Sequence, residues 1–575
     1  MTRADLARSS GQLLSDALAR ASGLGILGSG CHGAWDLPFT LSPGTERLSL
    51  SFDGLPIAGP AVPEAALALL SPLALERLFL LAPDPLLDPL GSGRDGILWG
   101  EPIDLGGGGS RSAVRFTEGP SGAATEDLVI GRQSSRGQWW GSYAHSRSEG
   151  RPIWIHPRYS LTGFQNLGVH VDRASRVGPV RLDASDRVGR YQLAGNGKLE
   201  WGAQYLSGGW QLTPDDSLSG ELRLTRRNDR LHGWGDGGQT FRRTTSTEVV
   251  ARASLQRRRI RLSVAAGAER VSLRYQEQDR YEQRRSSTGL GLAIAGTWKG
   301  DRAVVHATAG WVRPWWGEGY GRVHLLGSVP LGVGLGAEVE GWSQADAPFV
   351  PRLEGDETAL LEDGVVLPGG VTTRDRPERR VTHAEARLRA GRGGPRASIG
   401  LFARRLEEAI GVDPSLHAAL DPGDRDAKGF AALAGNATLV GVRGACRVGL
   451  PLGARVEGDA TLLLDPGPDR LPVLTARERG RGVLAIGHDF FRGDLRLEAR
   501  LVAQGRGRWS TPYGPSPGSL RWDAEIHGAK GAARFFFALR HLTNETQDSG
   551  TYADGEWMPQ PYRSSQIGVE WHFFN

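Results

Sequence analysis

From residue 111 onward the sequence falls into short segments in which apolar and polar side chains alternate, with Gly, Pro, Asp and Asn between them. A period of two marks a β-strand whose two faces differ in chemistry. The clearest segment sets Leu520, Trp522, Ala524 and Ile526 on one face and Arg521, Asp523, Glu525 and His527 on the other. The pattern returns with Leu495, Leu497, Ala499 and Leu501 against Arg496, Glu498 and Arg500, and with Ala454, Val456, Ala460 and Leu462 against Arg455, Glu457, Asp459 and Thr461. It returns again with Ile260, Leu262, Val264 and Ala266 against Arg259, Arg261 and Ser263, and with Leu199, Trp201, Ala203 and Tyr205 against Lys198, Glu200 and Gln204. These segments recur roughly every 20 residues with no helical period between them.

Alternation alone fits a soluble sandwich as well as a membrane barrel, because either gives each strand one greasy face. Strand number separates the two. A two-sheet sandwich holds about 7 to 9 strands, and this repeat overfills it. A closed antiparallel barrel in an outer membrane needs about 9 to 11 residues per tilted strand, with lipid outside and a polar lumen inside. Closure is obligatory there, since an open edge would leave backbone groups unpaired in hydrocarbon. The pattern therefore predicts an all-β transmembrane barrel of about 22 strands, within a range of 16 to 22. Weak segments near Ser160, Arg181 and Thr475 set that range. Trp139, Trp140, Tyr143 and Trp154, then Trp311, Trp315, Trp316 and Tyr320, then Trp557 and Tyr562, cluster near segment ends, where membrane interfaces select aromatic rings. Long polar stretches at 344–379, 407–429 and 506–518 alternate with short turns, as expected of external loops and periplasmic turns.

Composition closes other routes. Two cysteines, Cys31 and Cys446, exclude a disulfide framework or a four-cysteine metal site. The 69 basic and 64 acidic side chains are interspersed, which argues against nucleic acid as a partner. The most apolar stretch, 65–87, is broken by Pro72, Glu76, Arg77, Pro83 and Pro85, so no membrane helix is expected. The first residues carry no apolar signal core, so the expectation is either a mature or truncated form or a chain that is not exported.

The last strand sets Ile567, Val569, Trp571 and Phe573 on one face; it resembles the terminal sorting signal of bacterial outer-membrane barrels, with Asn575 following the usual final aromatic. Before it, Leu539-Arg540-His541-Leu542-Thr543-Asn544-Glu545, Tyr552, Met558-Pro559 and Tyr562-Arg563 resemble the closing hairpin of TonB-dependent receptors. At the front, a short amphipathic helix at 13–22 is similar to that family's opening plug helix. The segment 47–57, with its turn at Asp53-Gly54, and the segment 74–80, with Glu76-Arg77, resemble plug strands in the same order. The residues 81–85 and 100–105 depart from the family pattern, and no energy-coupling box precedes the helix.

The resemblance implies a divergent member with a small α+β plug domain at 1–110 lying in the lumen of a barrel at 111–575. It implies a receptor of the outer membrane that takes up a scarce solute, whether a siderophore-like chelate, vitamin, sugar or peptide. The implied partners are the lipid bilayer, the barrel-assembly machinery, TonB and a small-molecule substrate. No catalytic residue, cofactor or metal is expected, and the substrate-binding residues stay unassigned. Arg496, Glu498, Arg500, Arg521, Asp523 and Glu525 are expected to face the lumen. The alternative reading is a passive porin-like channel with a vestigial plug. An outer-membrane enzyme lacks a rim cluster to support it, and a soluble carbohydrate-binding protein is the remaining contrast.

Other motifs carry nothing. Gly91-Ser92-Gly93-Arg94-Asp95-Gly96 has dinucleotide spacing, but Pro83, Pro85 and Pro89 precede it where a strand is required. Ser516 sits between two prolines that forbid a nucleophile elbow. The 13 histidines show no ligand spacing, and Asp421, Asp424 and Asp426 read as a solvated acidic loop.

Overall fold

The computed structural model describes residues 1–2, 5–6, 14–18, 24–28, 36–41, 48–56, 70–90, 95–105, 109–148, 151–153, 156–159, 162–175, 178–192, 198–212, 217–235, 238–277, 281–314, 319–346, 379–391, 396–407, 410–411, 432–433, 436–465, 475–511, 514–516, 518–543, 551–553, 556–558 and 563–574. The acidic loop residues Asp421, Asp424 and Asp426 fall outside these stretches, as do Trp154, Trp315, Trp316 and Tyr562; the side chain of Trp557 is likewise undescribed.

Twenty-two strands, each antiparallel to its sequence neighbours, close into one barrel. The first, Gly109–Glu118, pairs with the last, Ser564–Phe574, through partners such as Phe116 and Val569. Closure removes every strand edge from the wall, so no backbone group is left unpaired against hydrocarbon. At one rim the strands are joined by tight turns such as 258–259, 333–334 and 531–532. Positive φ at Arg258, Gly334 and Gly531 lets those turns follow the strand twist. At the other rim the wall strands end at longer sequence intervals, 347–378, 408–436, 507–518 and 541–563. The wall begins and ends at the tight-turn rim, the periplasmic one in barrels of this kind. Of the three weak segments, Arg181 lies in the wall strand Val180–Gln192. The strand His156–Tyr159 belongs to a hairpin outside the wall, and Thr475 is a buried residue between strands.

Around the wall the outward rows are apolar and open: Leu262, Ile294, Leu401 and Ile567 keep 51%, 58%, 60% and 52% of their surface exposed. A belt of this extent has no counterpart on soluble monomers and is covered by lipid. Trp139, Trp298 and Trp311 are exposed on it near strand ends. Trp140 and Tyr320 are buried instead, because their register turns them inward.

One expected face is reversed. In the strand Lys198–Leu212 the row Trp201, Ala203 and Tyr205 was expected to meet lipid, yet Trp201 and Ala203 are buried against the contents of the lumen. The outward row is the other one, with Leu206 60% exposed. Cross-strand pairing fixes the parity: Leu206 faces Ala184 in the neighbouring strand, whereas Trp201 faces Gly189, whose missing side chain leaves room for the indole. The apolar row is covered by protein rather than by lipid.

That protein is the N-terminal part of the chain. Strands Leu48–Phe52, Leu55–Pro56, Leu75–Leu81 and Gly96–Pro102 form a four-stranded mixed sheet, the first and last of these running parallel. A short helix, Leu14–Leu18, packs with it. Leu14, Leu18, Leu50, Phe52, Leu75, Leu98 and Ile103 form one buried cluster with Ala113, Val129, Trp140 and Trp201 of the wall. The plug core and the wall thus share one continuous cluster here, and Leu41 joins a second with Trp342, Phe402 and Leu406 of the wall, so burying the plug inside the barrel stabilises both.

Candidate functional site, the seam between plug and wall

The plug segment 84–90 is held against the wall through its backbone. Asp84 starts it: its Oδ1 accepts from the Leu86 amide at 2.8 Å, and its carbonyl accepts from the Leu87 and Asp88 amides at 3.1 Å each. This compact turn pushes Pro85, Pro89 and Leu90 against the wall. The wall meets them with glycines. A Cβ at Gly267 would lie 2.7 Å from Leu90, one at Gly310 would lie 2.5 Å from Pro85, and one at Gly291 would lie 1.8 Å from the Pro89 carbonyl oxygen. Gly267 and Gly291 are cross-strand partners, so the missing side chains form a shallow trough in the strands Ile260–Glu277, Tyr281–Lys299 and Val304–Arg313.

Arginines at the edges of the trough grip the backbone of the segment. Arg252 donates through Nε to the Leu86 carbonyl at 3.2 Å and through Nη2 to the Leu87 carbonyl at 2.8 Å. Arg322 donates to the Asp88 carbonyl at 2.5 Å. Glu221 holds Arg252 in place at 3.1 Å. Charge-assisted bonds to backbone carbonyls are strong, but they release without leaving a buried charge on the plug.

Asp84 also meets histidine. His306 Nε2 lies 3.3 Å from its Oδ2 and His324 Nδ1 lies 3.9 Å from the same oxygen. Burial would raise the Asp84 carboxyl, yet the hydrogen bonds from His306 and the Leu86 amide outweigh it and hold the group below its ordinary 3.8. Sequence spacing could not reveal this cluster, since Asp84 and His306 are 222 positions apart.

A second contact is made by the Asp53-Gly54 turn, where φ is +52° and +78°. Asp53 Oδ2 accepts from Arg181 at 2.5 Å and its carbonyl accepts from Arg223 at 2.8 Å. Gly54 is required here, because a Cβ would meet the Trp99 ring at 2.9 Å. Beneath the turn Phe52 meets Trp140 edge-on, and Trp140 stacks on His170, whose Nδ1 bonds Asp183 at 2.6 Å. Burial drives the Asp53 carboxyl above 3.8, with Arg181 and Arg223 offsetting only part of that rise. Glu76 and Arg77 sit in the strand Leu75–Leu81 away from these contacts; Arg77 is exposed, 3.9 Å from Glu101.

The residues expected to line the lumen form an ion-paired lattice on the wall. Glu498 joins Arg455 at 3.3 Å and Arg500 at 2.5 Å. Asp523 binds Arg521 at 2.8 Å and Arg540 at 3.4 Å, while Glu525 binds Arg540 at 2.6 Å and His527 at 3.0 Å. Arg496 shares their face at the tight-turn rim, 3.9 Å from Asp489 and largely exposed. Ile567, Val569, Trp571 and Phe573 are exposed on the outside, with Trp571 and Phe573 stacked. On this half of the wall the plug is separated from the strands by a cavity of about 710 Å³, bounded by Met1, Leu78 and Leu80 and by Arg389, Arg455 and Arg500. Beside this cavity the same strands also hold the plug, Arg404 pairing with Asp95 at 3.0 Å, Arg479 donating to the Thr40 carbonyl at 2.7 Å and Leu41 packing with Trp342 and Phe402.

No family model matches the sequence, and no curated protein does. Among solved structures the chain is similar to the copper transporter OprC, with 13% identity and a TM-score of 0.76, covering 98% of this chain and 96% of that one. The ferric enterobactin receptor PfeA from Pseudomonas aeruginosa gives 12% identity and a TM-score of 0.76 over 100% and 98% of the two chains. The siderophore receptor PirA from Acinetobacter baumannii gives 12% and 0.73 over the same shares. Matches over both full lengths extend the likeness from the wall to the plug. The chain has the fold of the TonB-dependent outer-membrane receptors, a closed barrel of 22 strands with its own N-terminal segment lodged in the lumen.

Proposed function

We propose that this protein is an outer-membrane receptor that captures a scarce solute on its long-loop side and passes it to the periplasm when the plug leaves its seat. The observation that carries this reading is a plug held by releasable backbone contacts next to free space in the lumen. The segment 84–90 is gripped through backbone carbonyls in a glycine trough, while another face of the plug borders a cavity. A fixed constriction needs no such arrangement; a plug that moves toward free space does. The structural neighbours carry copper or iron chelates by their printed names, and a chelate or comparably bulky solute fits a route that opens only on demand.

Energy for that movement comes, in this reading, from TonB acting on the plug at the tight-turn rim. The terminal strand, with its outward Ile567, Val569, Trp571 and Phe573, serves recognition by the barrel-assembly machinery. No reacting constellation is involved: the wall carboxylates and arginines are paired with one another in a structural lattice.

Two measurements test the proposal. Cells relying on this protein take up a ferric or copper chelate when TonB is present and fail to do so when it is deleted. In planar bilayers the purified full chain is closed at rest. Steady conductance at rest, or uptake that ignores TonB, establishes the passive porin-like alternative instead.

A further inference from the structure

The Asp84 cluster brings a carboxylate oxygen and two imidazole nitrogens within 4.8 Å of one another, across the seam between plug and wall. His324 stands between two carboxylates, its Nε2 3.1 Å from the acceptor Glu340 Oε1. Its other nitrogen, Nδ1, is buried and without a hydrogen-bond partner, and it faces the Asp84 Oδ2 oxygen at 3.9 Å. A ring nitrogen and a carboxylate oxygen facing each other in a buried site call for positive charge between them, which a second ring proton or a metal ion supplies. His306 approaches the same oxygen. Its Nδ1 lies 2.9 Å from Thr297 Oγ1, and its Nε2 points at the same Asp84 oxygen at 3.3 Å, with Thr308 Oγ1 2.9 Å from that nitrogen.

We propose that Asp84, His306 and His324 bind one divalent transition-metal ion that ties the plug to the barrel wall. The spacing fits. With metal–ligand bonds of about 2.0–2.1 Å, neighbouring donors of a tetrahedral ion stand about 3.3 Å apart, close to the observed His306–Asp84 separation. The more distant His324 needs only a small ring shift to join. Each imidazole has its far nitrogen held by an outer group, Thr297 or Glu340, which is the support that metal-ligating histidines require. Asp84 has one oxygen fixed by the Leu86 amide, leaving Oδ2 for the ion. Three protein ligands leave a fourth position for water or Thr308, and two imidazoles favour zinc, copper or nickel over calcium or magnesium. Arg322, the nearest cation along the same strand, is engaged with the Asp88 carbonyl.

The other histidine–carboxylate cluster, Asp53 with His170 and Asp183, does not qualify. Arg181 and Arg223 already supply Asp53 with positive charge, and a metal would have to displace them. In the Asp84 site the two histidines belong to the wall strands Val304–Arg313 and Tyr320–Gly332, and the carboxylate belongs to the plug. Metal occupancy would therefore report whether the plug is seated, whatever the transported solute.

The experiment is a calorimetric titration of chelator-treated full-length protein in detergent with Zn2+ alone. One ion per chain is expected, with binding abolished in Asp84→Ala, His306→Ala and His324→Ala. Glu340→Gln should weaken binding about 10- to 100-fold. Heat-modifiable gel migration confirms that each variant retains a folded barrel. Co2+ bound to the wild type should give the visible absorption of a tetrahedral site, and that band should vanish in His324→Ala. No stoichiometric uptake by the wild type, or titrations unchanged in the folded histidine variants, would overturn the proposal.

Discussion

Replacing Gly291 by Val tests whether the trough holds the plug. The new Cβ would stand 1.8 Å from the Pro89 carbonyl oxygen, where ordinary contact begins near 3.4 Å, so strand and plug must part by roughly 1.6 Å. Such a shift breaks the Arg252 bonds to Leu86 and Leu87 and the Arg322 bond to Asp88, now 3.2, 2.8 and 2.5 Å. At about 1.5–3 kcal/mol for each charge-assisted bond, the ceiling is roughly 5–9 kcal/mol. Flexible arginines following the plug reduce it. Even about 2 kcal/mol of lost docking raises the unseated fraction about 30-fold. The wall itself tolerates the change, because a β-branched residue suits a strand better than glycine. The expected result is frequent channel opening in planar bilayers and faster proteolysis of the plug, with unchanged heat-modifiable migration. Gly321→Val, at a position with nothing within 4 Å, should behave like wild type. A Gly291→Val protein as quiet and as protease-resistant as wild type would refute the trough argument.

Other expectations follow from the same geometry. Trp201→Ala removes a buried indole shared by plug and wall, at a cost of about 3–5 kcal/mol; plug proteolysis should accelerate while the barrel survives heating as before. Val569→Arg puts a charge on the lipid face, costing about 2–4 kcal/mol near the bilayer midplane, and should lower the yield of folded barrel measured by gel shift. Asp53 titrates above its ordinary 3.8 because it is buried. The seated plug thus binds that proton more tightly than the free one, so this group favours seating below pH 3.8 and loses that contribution as pH rises through the seated-state value. Plug protection measured across that window should fall with rising pH in the wild type, and Asp53→Asn should flatten the trend; an identical slope in both would dismiss Asp53 as its source.

The alternation that runs through Leu262, Leu401 and Ile567 was sufficient to predict a closed membrane barrel, because lipid and lumen impose opposite chemistry on successive side chains and backbone pairing allows no open edge. The terminal strand and the uneven loops were legible for the same local reason. Plug strands were readable from the order of the segments around Asp53 and Glu76. Trp201 was misread because an apolar row carries no mark of what will cover it, and only the lodged plug decides between protein and lipid. The trough and the Asp84 cluster were invisible for a related reason. Gly267, Gly291 and Gly310, or Asp84, His306 and His324, become neighbours only when barrel register and plug position are both fixed. The one-dimensional pattern determined which solvent each face of a strand prefers; tertiary structure alone decided which distant residues share the seam, since that depends on closure of the wall around the chain's own first hundred residues.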